Sequence, residues 1–244
     1  MKLNEYLLEI EKFLKNKLDE THAQGYVLGV SGGIDSALVA LLAHRAVGDK
    51  LFCLILPCES HPDDAKDAIE LLEKFKIKYE IIDLTSTYHT IISEMEKNVG
   101  PLSNLAKNNT KVRLRMVTLY AIGQTKNSLV LGTDNWDESY TGYFTKYGDG
   151  ACDLLPIVKL TKKEVFDASK LMGVTTNILN RKPSAGLFLN QTDEDELGVT
   201  YDELDSYLLG KEIRDDAKKR IEQLHKNSNH KREPIPCPNE FIRD

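Results

Sequence analysis

The sequence predicts an α/β fold: a Rossmann-like parallel sheet with helices on both faces and a helical C-terminal extension. Three features carry the prediction. Short apolar runs alternate with stretches of helical periodicity up to residue 133. Such alternation builds a parallel sheet, because each crossover helix must pack back onto it. Two of the strand exits are crowded with Gly, Asp, Ser and Thr, and no repeat, low-complexity tract or linker divides the chain.

In chain order, Leu3, Leu7, Ile10, Leu14 and Leu18 recur at three- and four-residue spacing, one apolar stripe on a first helix. YVLGV (26–30) is a first buried strand, ending in glycines. A helix follows over 35–47, then a second strand, LFCLILP (51–57), closed by Pro57. HPDDAKDAIELLEKF (61–75) opens with proline and two aspartates, which suit a helix's first turn. YEIIDL (79–84) is a third strand, 91–126 is helical with a break near Gly100 and Pro101, and SLVLGT (128–133) is a fourth strand. Beyond residue 150 the chain is polar and helical, an appendage to the same domain, and it ends in a proline-bearing tail with little periodicity.

Composition narrows the class. The 244 residues are 41% hydrophobic and 29% charged, ordinary for a soluble globular protein. A net charge of -6 argues against non-specific binding to nucleic acid or anionic lipid. No apolar run reaches membrane-spanning length, and the charged amphipathic N-terminus is not a signal peptide. Cys53, Cys58, Cys152 and Cys237 form no CxxC, so reduced thiols in a cytoplasmic protein are the simplest reading.

Ligands of parallel sheets bind at the carboxyl ends of strands. The first such exit reads GVSGGIDS (29–36). Glycines let backbone N–H groups approach a ligand, and a helix starting there adds its dipole, so the loop suits phosphate. Asp35 would repel that phosphate unless Mg2+ lay between them, the ion being commonly held by a carboxylate plus substrate phosphates. The plainer alternative is a turn in which Asp35 or Ser36 caps the helix. The loop is neither a Walker A motif nor GxGxxG.

SGGxDS after a first strand resembles the signature of the PP-loop, or N-type, ATP pyrophosphatases, whose fold is adenine nucleotide alpha hydrolase-like. That resemblance implies an ATP site at Gly29, Val30, Ser31, Gly32, Gly33, Ile34, Asp35 and Ser36, and cleavage of ATP to AMP and pyrophosphate. Later stretches choose the member. NTKVRLRM (109–116), GTDNWDESYTGYFTKYGDGACDLLPIVKLTKKEV (132–165), KPSAGL (182–187), ELGVTYDELDSYLLGK (196–211) and NHKREP (229–234) resemble, in order and spacing, the ammonia-dependent NAD synthetases. The likeness runs from about Tyr26 to Pro234. It implies one synthetase domain over 1–244 with no room for a glutaminase domain, hence free ammonia as nitrogen donor. It also implies a homodimer and the substrates ATP and deamido-NAD+, the latter amidated through an adenylated intermediate.

Roles follow by matching positions. Asp35 and Glu138 would hold Mg2+; alone, Glu138 would read as an exposed loop carboxylate. Thr133, Lys162 and Ser184 would contact ATP. Thr161-x-x-Glu164 looks like a capping box, which places Lys162 in a first turn, where the dipole disfavours a cation and slightly favours a phosphate role. Arg113, Lys146, Asp153, His230 and Lys231 would bind deamido-NAD+. Tyr120 shares a helix face with Arg113, whereas Arg115 lies about 200° round and reads as a surface ion pair. His230 and Lys231 would otherwise be solvated tail charges.

The aromatic run Tyr140, Tyr143, Phe144 and Tyr147 fits a substrate loop, with loop packing or an RNA-binding strip as alternatives. The helix stripe 3–18 and the helix through Tyr120 are either subunit interface or core. Three departures from the family pattern stand out. Bulky Trp136 lies beside Glu138, Gly186 stands where aspartate is common, and the tail is reduced to NEFIRD. Two rivals are weaker. One is another PP-loop enzyme, such as a tRNA thiolase or GMP synthetase; the thiolase would bring CxxC, an RNA-binding domain and basic charge. A catalytically dead nucleotide-binding module would not keep Asp35, Glu138, Lys146 and Lys162 together.

Overall fold

A computed structural model describes residues 1–181 and 193–240. Four strands, β1 (Gly25–Gly29), β2 (Leu51–Ile55), β3 (Tyr79–Ile81) and β4 (Ser128–Leu131), form one sheet in the order β3-β2-β1-β4. All three pairings are parallel. The chain adds β2 and β3 on one side of β1, then returns to lay β4 on the other. The strand order therefore reverses between β1 and β4, the place where a parallel sheet opens a crevice for ligand. Leu154 extends the sheet past β4 through a single parallel bridge to Leu131.

Strand side chains alternate between two cores, as a pleat requires. Tyr26, Leu28, Cys53 and Ile55 face one cluster. Val27, Leu54 and Leu56 face the other. The first cluster is built by α1 (Leu3–Thr21), α2 (Ile34–Val47), α3 (Pro62–Lys74) and α7 (Lys162–Met172). The second is covered by α4 (Thr85–Val99) and α5 (Asn104–Thr125). Gly100 closes α4 with φ +84, and the Ser103 side chain caps α5 by accepting from Ala106 N–H at 3.2 Å. α2 is the central helix, with every residue from Ser36 to Ala43 buried. It is apolar all round because it has the sheet on one side and α1 and α7 on the other.

Two expectations change here. The α1 stripe, Leu7, Ile10, Leu14 and Leu18, is buried in the first cluster, so it is core and not interface. The region after residue 150 is not a mere appendage. Ile157, Leu160, Val165 and Ala168 are as buried as the strands, and α7 packs on α2. Only the helices beyond α8 (Thr176–Leu179) form a separate layer: α9 (Asp193–Leu197), α10 (Tyr201–Leu208) and α11 (Asp215–Asn227). These gather a third cluster with Tyr140 and Tyr143, next to α6 (Trp136–Thr141). Among the described residues no helix is long and apolar enough to cross a membrane.

Candidate active site

The β1 exit is built to leave backbone donors in the open. Gly32 has φ +83, and a Cβ there would lie 2.3 Å from the Asp64 carbonyl at the start of α3. Only glycine meets both conditions. Ser31 and Ser36 fold the loop on itself: Ser36 Oγ accepts from Ser31 N–H at 3.1 Å and donates to the Gly33 carbonyl at 3.0 Å. Gly33, not Asp35 or Ser36, is the N-cap of α2, and among the described residues no side chain caps that helix. The capping alternative is thereby replaced. Ser36 is spent on the loop and Asp35 points elsewhere, which leaves the helix start for an anion.

Asp35 points to the neighbouring exit, after β4. Its Oδ1 accepts from Asn135 Nδ2 at 2.9 Å, and its Oδ2 from Lys162 Nζ at 2.7 Å. Lys162 Nζ also donates to Glu138 Oε1 at 3.1 Å. One ammonium from α7 thus bridges carboxylates from α2 and α6. Local sequence dictates this placement. Asn135 caps α6 in a reciprocal box with Glu138, accepting from its N–H at 3.0 Å while Glu138 Oε2 accepts from Asn135 N–H at 3.2 Å. Glu138 is therefore a helix residue with a fixed carboxylate, not an exposed loop acid. Thr161 and Glu164 form the expected box at α7, which puts Lys162 at the first helical position. Trp136 opens α6, donating its backbone N–H to the Leu160 carbonyl at 2.8 Å.

The electrostatics of the site favour cations. Burial and the facing Asp35 push the Glu138 carboxyl up to about 7, against the pull of Lys162. Asp134, 5% exposed, is raised well above its ordinary value by burial and by surrounding acids. Burial opposes the charge on Lys162, but Asp35 and Glu138 outweigh it and raise its pKa. Among the described residues acids outnumber bases at the two exits, so an added divalent cation would relieve repulsion. Among the described residues no three His, Cys, Asp or Glu side chains converge as a metal cage. A magnesium ion shared with phosphates needs only one or two carboxylates. The oxygen donors of Asp35 and Glu138 fit that kind of site.

The remaining predicted residues fall into two groups. Arg113 donates to the Lys146 carbonyl at 3.2 Å, and Lys146 Nζ donates to the His230 carbonyl, so these three form one chain of contacts. Lys231 is no solvated tail charge: its Nζ donates to the Gly142 carbonyl at 2.7 Å and to that of Phe144. Ser228 Oγ donates to the Thr141 carbonyl and Arg232 to that of Ser139, so residues 228–232 clamp the segment that follows Glu138. Asp153 stands apart. Its Oδ2 accepts from Val130 N–H at 2.7 Å and its Oδ1 from the Tyr120 hydroxyl at 3.3 Å. Thr133 sits part-buried at the β4 exit. Ser184 and Gly186 lie outside the described residues.

Two further readings are corrected or divided. Arg115 is not a surface ion pair. It reaches under the β2 exit and donates to the Leu56 carbonyl at 3.0 Å and to Ser60 Oγ at 2.9 Å. The aromatic run splits: Tyr140 and Tyr143 pack on the third cluster, whereas Tyr147 is 53% exposed. Sequence reasoning missed Asn135, although Asn-x-x-Glu is a legible capping box. It also missed Asp137, Tyr201 and Asp205, which reach the site from behind Lys162.

The family model for NAD synthase matches residues 6–235. An NH(3)-dependent NAD(+) synthetase from Mesoplasma florum is 45% identical over 243 residues, covering all of both chains. One from Alkaliphilus metalliredigens is 43% identical over 96% of this chain and 99% of its own. Among solved structures, an NMN synthetase from Francisella tularensis superposes with a TM-score of 0.94 at 41% identity, covering 98% and 100% of the two chains. The NH3-dependent NAD synthetase of Campylobacter jejuni superposes at 0.80 and 29% identity with the same coverage.

Proposed function

The chain belongs to the NAD synthase family, and from that premise we propose that it is an ammonia-dependent NAD+ synthetase. It joins ammonia to the carboxylate of deamido-NAD+ at the expense of ATP, releasing AMP and pyrophosphate. The observation that carries the reading is the Asp35–Lys162–Glu138 bridge at the strand-order switch, directly beside an uncapped helix start.

A nicotinate carboxylate resists ammonia because oxide is a poor leaving group. Its oxygen attacks the α-phosphorus of ATP, and the bond to pyrophosphate breaks. Ammonia then attacks the acyl carbon, AMP departs with the original oxygen, and a proton is lost. The loop from Gly29 to Ser36 receives the pyrophosphate through backbone N–H groups and the α2 dipole. Lys162 supplies a fixed positive charge where phosphate charge develops. Asp35 and Glu138 would hold Mg2+, which when bound neutralises the phosphates and polarises the reacting phosphorus. Thr133 and Ser184 belong to the ATP side.

Arg113, Lys146, His230 and Lys231 frame the nicotinate nucleotide. Their hydrogen bonds tie α5, the 142–147 segment and the tail into one wall. Asp153 stiffens the adjoining edge. Ammonia as nitrogen donor is supported by end-to-end correspondence with relatives described as NH(3)-dependent. A homodimer is supported by α5, of whose 22 residues only Asn108 and Gly123 are buried. A single synthetase domain and a cytoplasmic setting complete the proposal.

One observation favours a second reading, the same amidation on the mononucleotide. The solved protein described as an NMN synthetase superposes better, 0.94 against 0.80, than the NAD synthetase does. Asp35, Glu138 and Lys162 would serve both reactions, because ATP and the nicotinate carboxylate are common to them. Purified protein with ATP, Mg2+ and ammonium should yield AMP and amidated product in equal amounts. The ratio of kcat/KM for deamido-NAD+ and nicotinate mononucleotide chooses between the two readings. ADP as product, or no nucleotide-dependent turnover, would defeat both.

A further inference from the structure

Lys162 is held from behind by α10, which packs against both α6 and α7. Tyr201, 8% exposed, places its ring centroid 5.1 Å from Lys162 Nζ. Its hydroxyl donates to Asp193 Oδ2 at 2.9 Å and its N–H to Glu194 Oε1 at 2.8 Å, so the ring is fixed at both ends. One turn on, Asp205, 7% exposed, accepts through Oδ2 from the backbone N–H of Lys163 at 3.1 Å. Asp137, 1% exposed, accepts through Oδ2 from the backbone N–H of Lys162 at 2.9 Å. Among the described residues the Oδ1 atoms of Asp137 and Asp205 have no hydrogen-bond partner.

Most helices leave their first N–H groups to water, or satisfy them with a single capping side chain. Here Thr161 already caps α7. Two further buried carboxyls are spent on the next two N–H groups, at a desolvation cost that helix formation does not demand. That cost makes sense if the coordinates of Lys162 matter. Asp137 sits beside Glu138 on α6, so the same pair sets α7 against the carboxylate that Lys162 must meet.

We propose that Tyr201 and Asp205 are positioning residues for the reaction: the Tyr201 ring shields and aims the Lys162 ammonium, and Asp205 fixes its backbone. The inference rests on the Lys162 role given under Proposed function. Misplacing a catalytic group by about 1 Å is enough to lose up to about 100-fold in rate.

The test is steady-state amidation by full-length Tyr201→Leu, Tyr201→Phe, Asp205→Ala, Asp205→Asn and Lys162→Ala, with thermal midpoints measured alongside. Tyr201→Leu and Asp205→Ala should lower kcat by about tenfold to 100-fold while KM for the nicotinate nucleotide stays nearly constant. Tyr201→Phe, which keeps the ring, and Asp205→Asn, which keeps an acceptor for Lys163, should restore most of that loss. In a Lys162→Ala background Tyr201→Leu should cost nothing more, since its effect passes through Lys162. Equal losses in both backgrounds, or near-wild-type kcat for Tyr201→Leu and Asp205→Ala beside a crippled Lys162→Ala, would overturn the inference. Wild-type turnover by Lys162→Ala would instead remove the Lys162 role itself, and the inference with it. Should Asp205→Ala unfold, the Tyr201 pair and Asp205→Asn still decide.

Discussion

At the scale of single residues, the β1 exit is governed by Gly32. Its φ of +83 and the Asp64 carbonyl beneath it leave no room for a side chain. Gly32→Ala should therefore destabilise the fold by about 1–3 kcal/mol, the usual cost of a non-glycine residue held in that region. It should also weaken ATP binding, because relief of strain must reopen the anion loop. Urea unfolding and calorimetric titration with ATP check both; wild-type affinity in a folded variant would contradict the loop's role. Asp35 and Glu138 were legible in the sequence because a short motif carries each of them. Tyr201 and Asp205 lay within the 196–211 stretch, but nothing local gave either of them a role. They look like ordinary helix residues until α10 is folded against α7.

At the scale of elements, the three-way junction of α6, α7 and α10 has a pH signature. Burial, then the neighbouring Asp205, pushes the Asp137 carboxyl up to about 8 from an ordinary 3.8. Its neutral form is thus favoured in the fold. That contribution is fully present below about pH 4 and is lost as pH rises through about 8. Asp205→Asn removes the neighbouring acid and offers an amide N–H to Asp137. Its stability relative to wild type should rise between pH 4 and 8, by on the order of 1–3 kcal/mol. Urea unfolding at the two ends of that range measures it, and parallel curves would contradict the influence of Asp205 on Asp137. The capping boxes at α6 and α7 show what was legible at this scale: Thr161-x-x-Glu164 was read, and Asn135-x-x-Glu138 was readable. That α7 belongs to the core was not. Its polar exposed face dominates the composition, whereas Val165 and Ala168, both fully buried, are what place it.

For the whole molecule, the parallel sheet followed from alternating strands and helices, and the site from the two Gly- and Asp-rich exits. What periodicity could not separate was interface from core. The α1 stripe proved to be core, and α5, with a similar share of apolar residues, remained open. Val99 (74%), Leu105 (64%) and Val117 (57%) are the most exposed apolar residues of the α4–α5 layer. If that layer is the dimer interface, Leu105→Glu with Val117→Glu should shift the protein to monomer in sedimentation experiments. A dimer that survives both changes would place the interface elsewhere.

The central claim is chemical: the nicotinate carboxylate is activated by transfer of AMP. Deamido-NAD+ labelled with 18O in that carboxylate tests it most directly, with ATP, Mg2+ and ammonium present. One labelled oxygen should leave on each AMP formed, because the acyl oxygen that attacked the α-phosphorus departs with it. Label in pyrophosphate, or unlabelled AMP beside amidated product, would contradict the account.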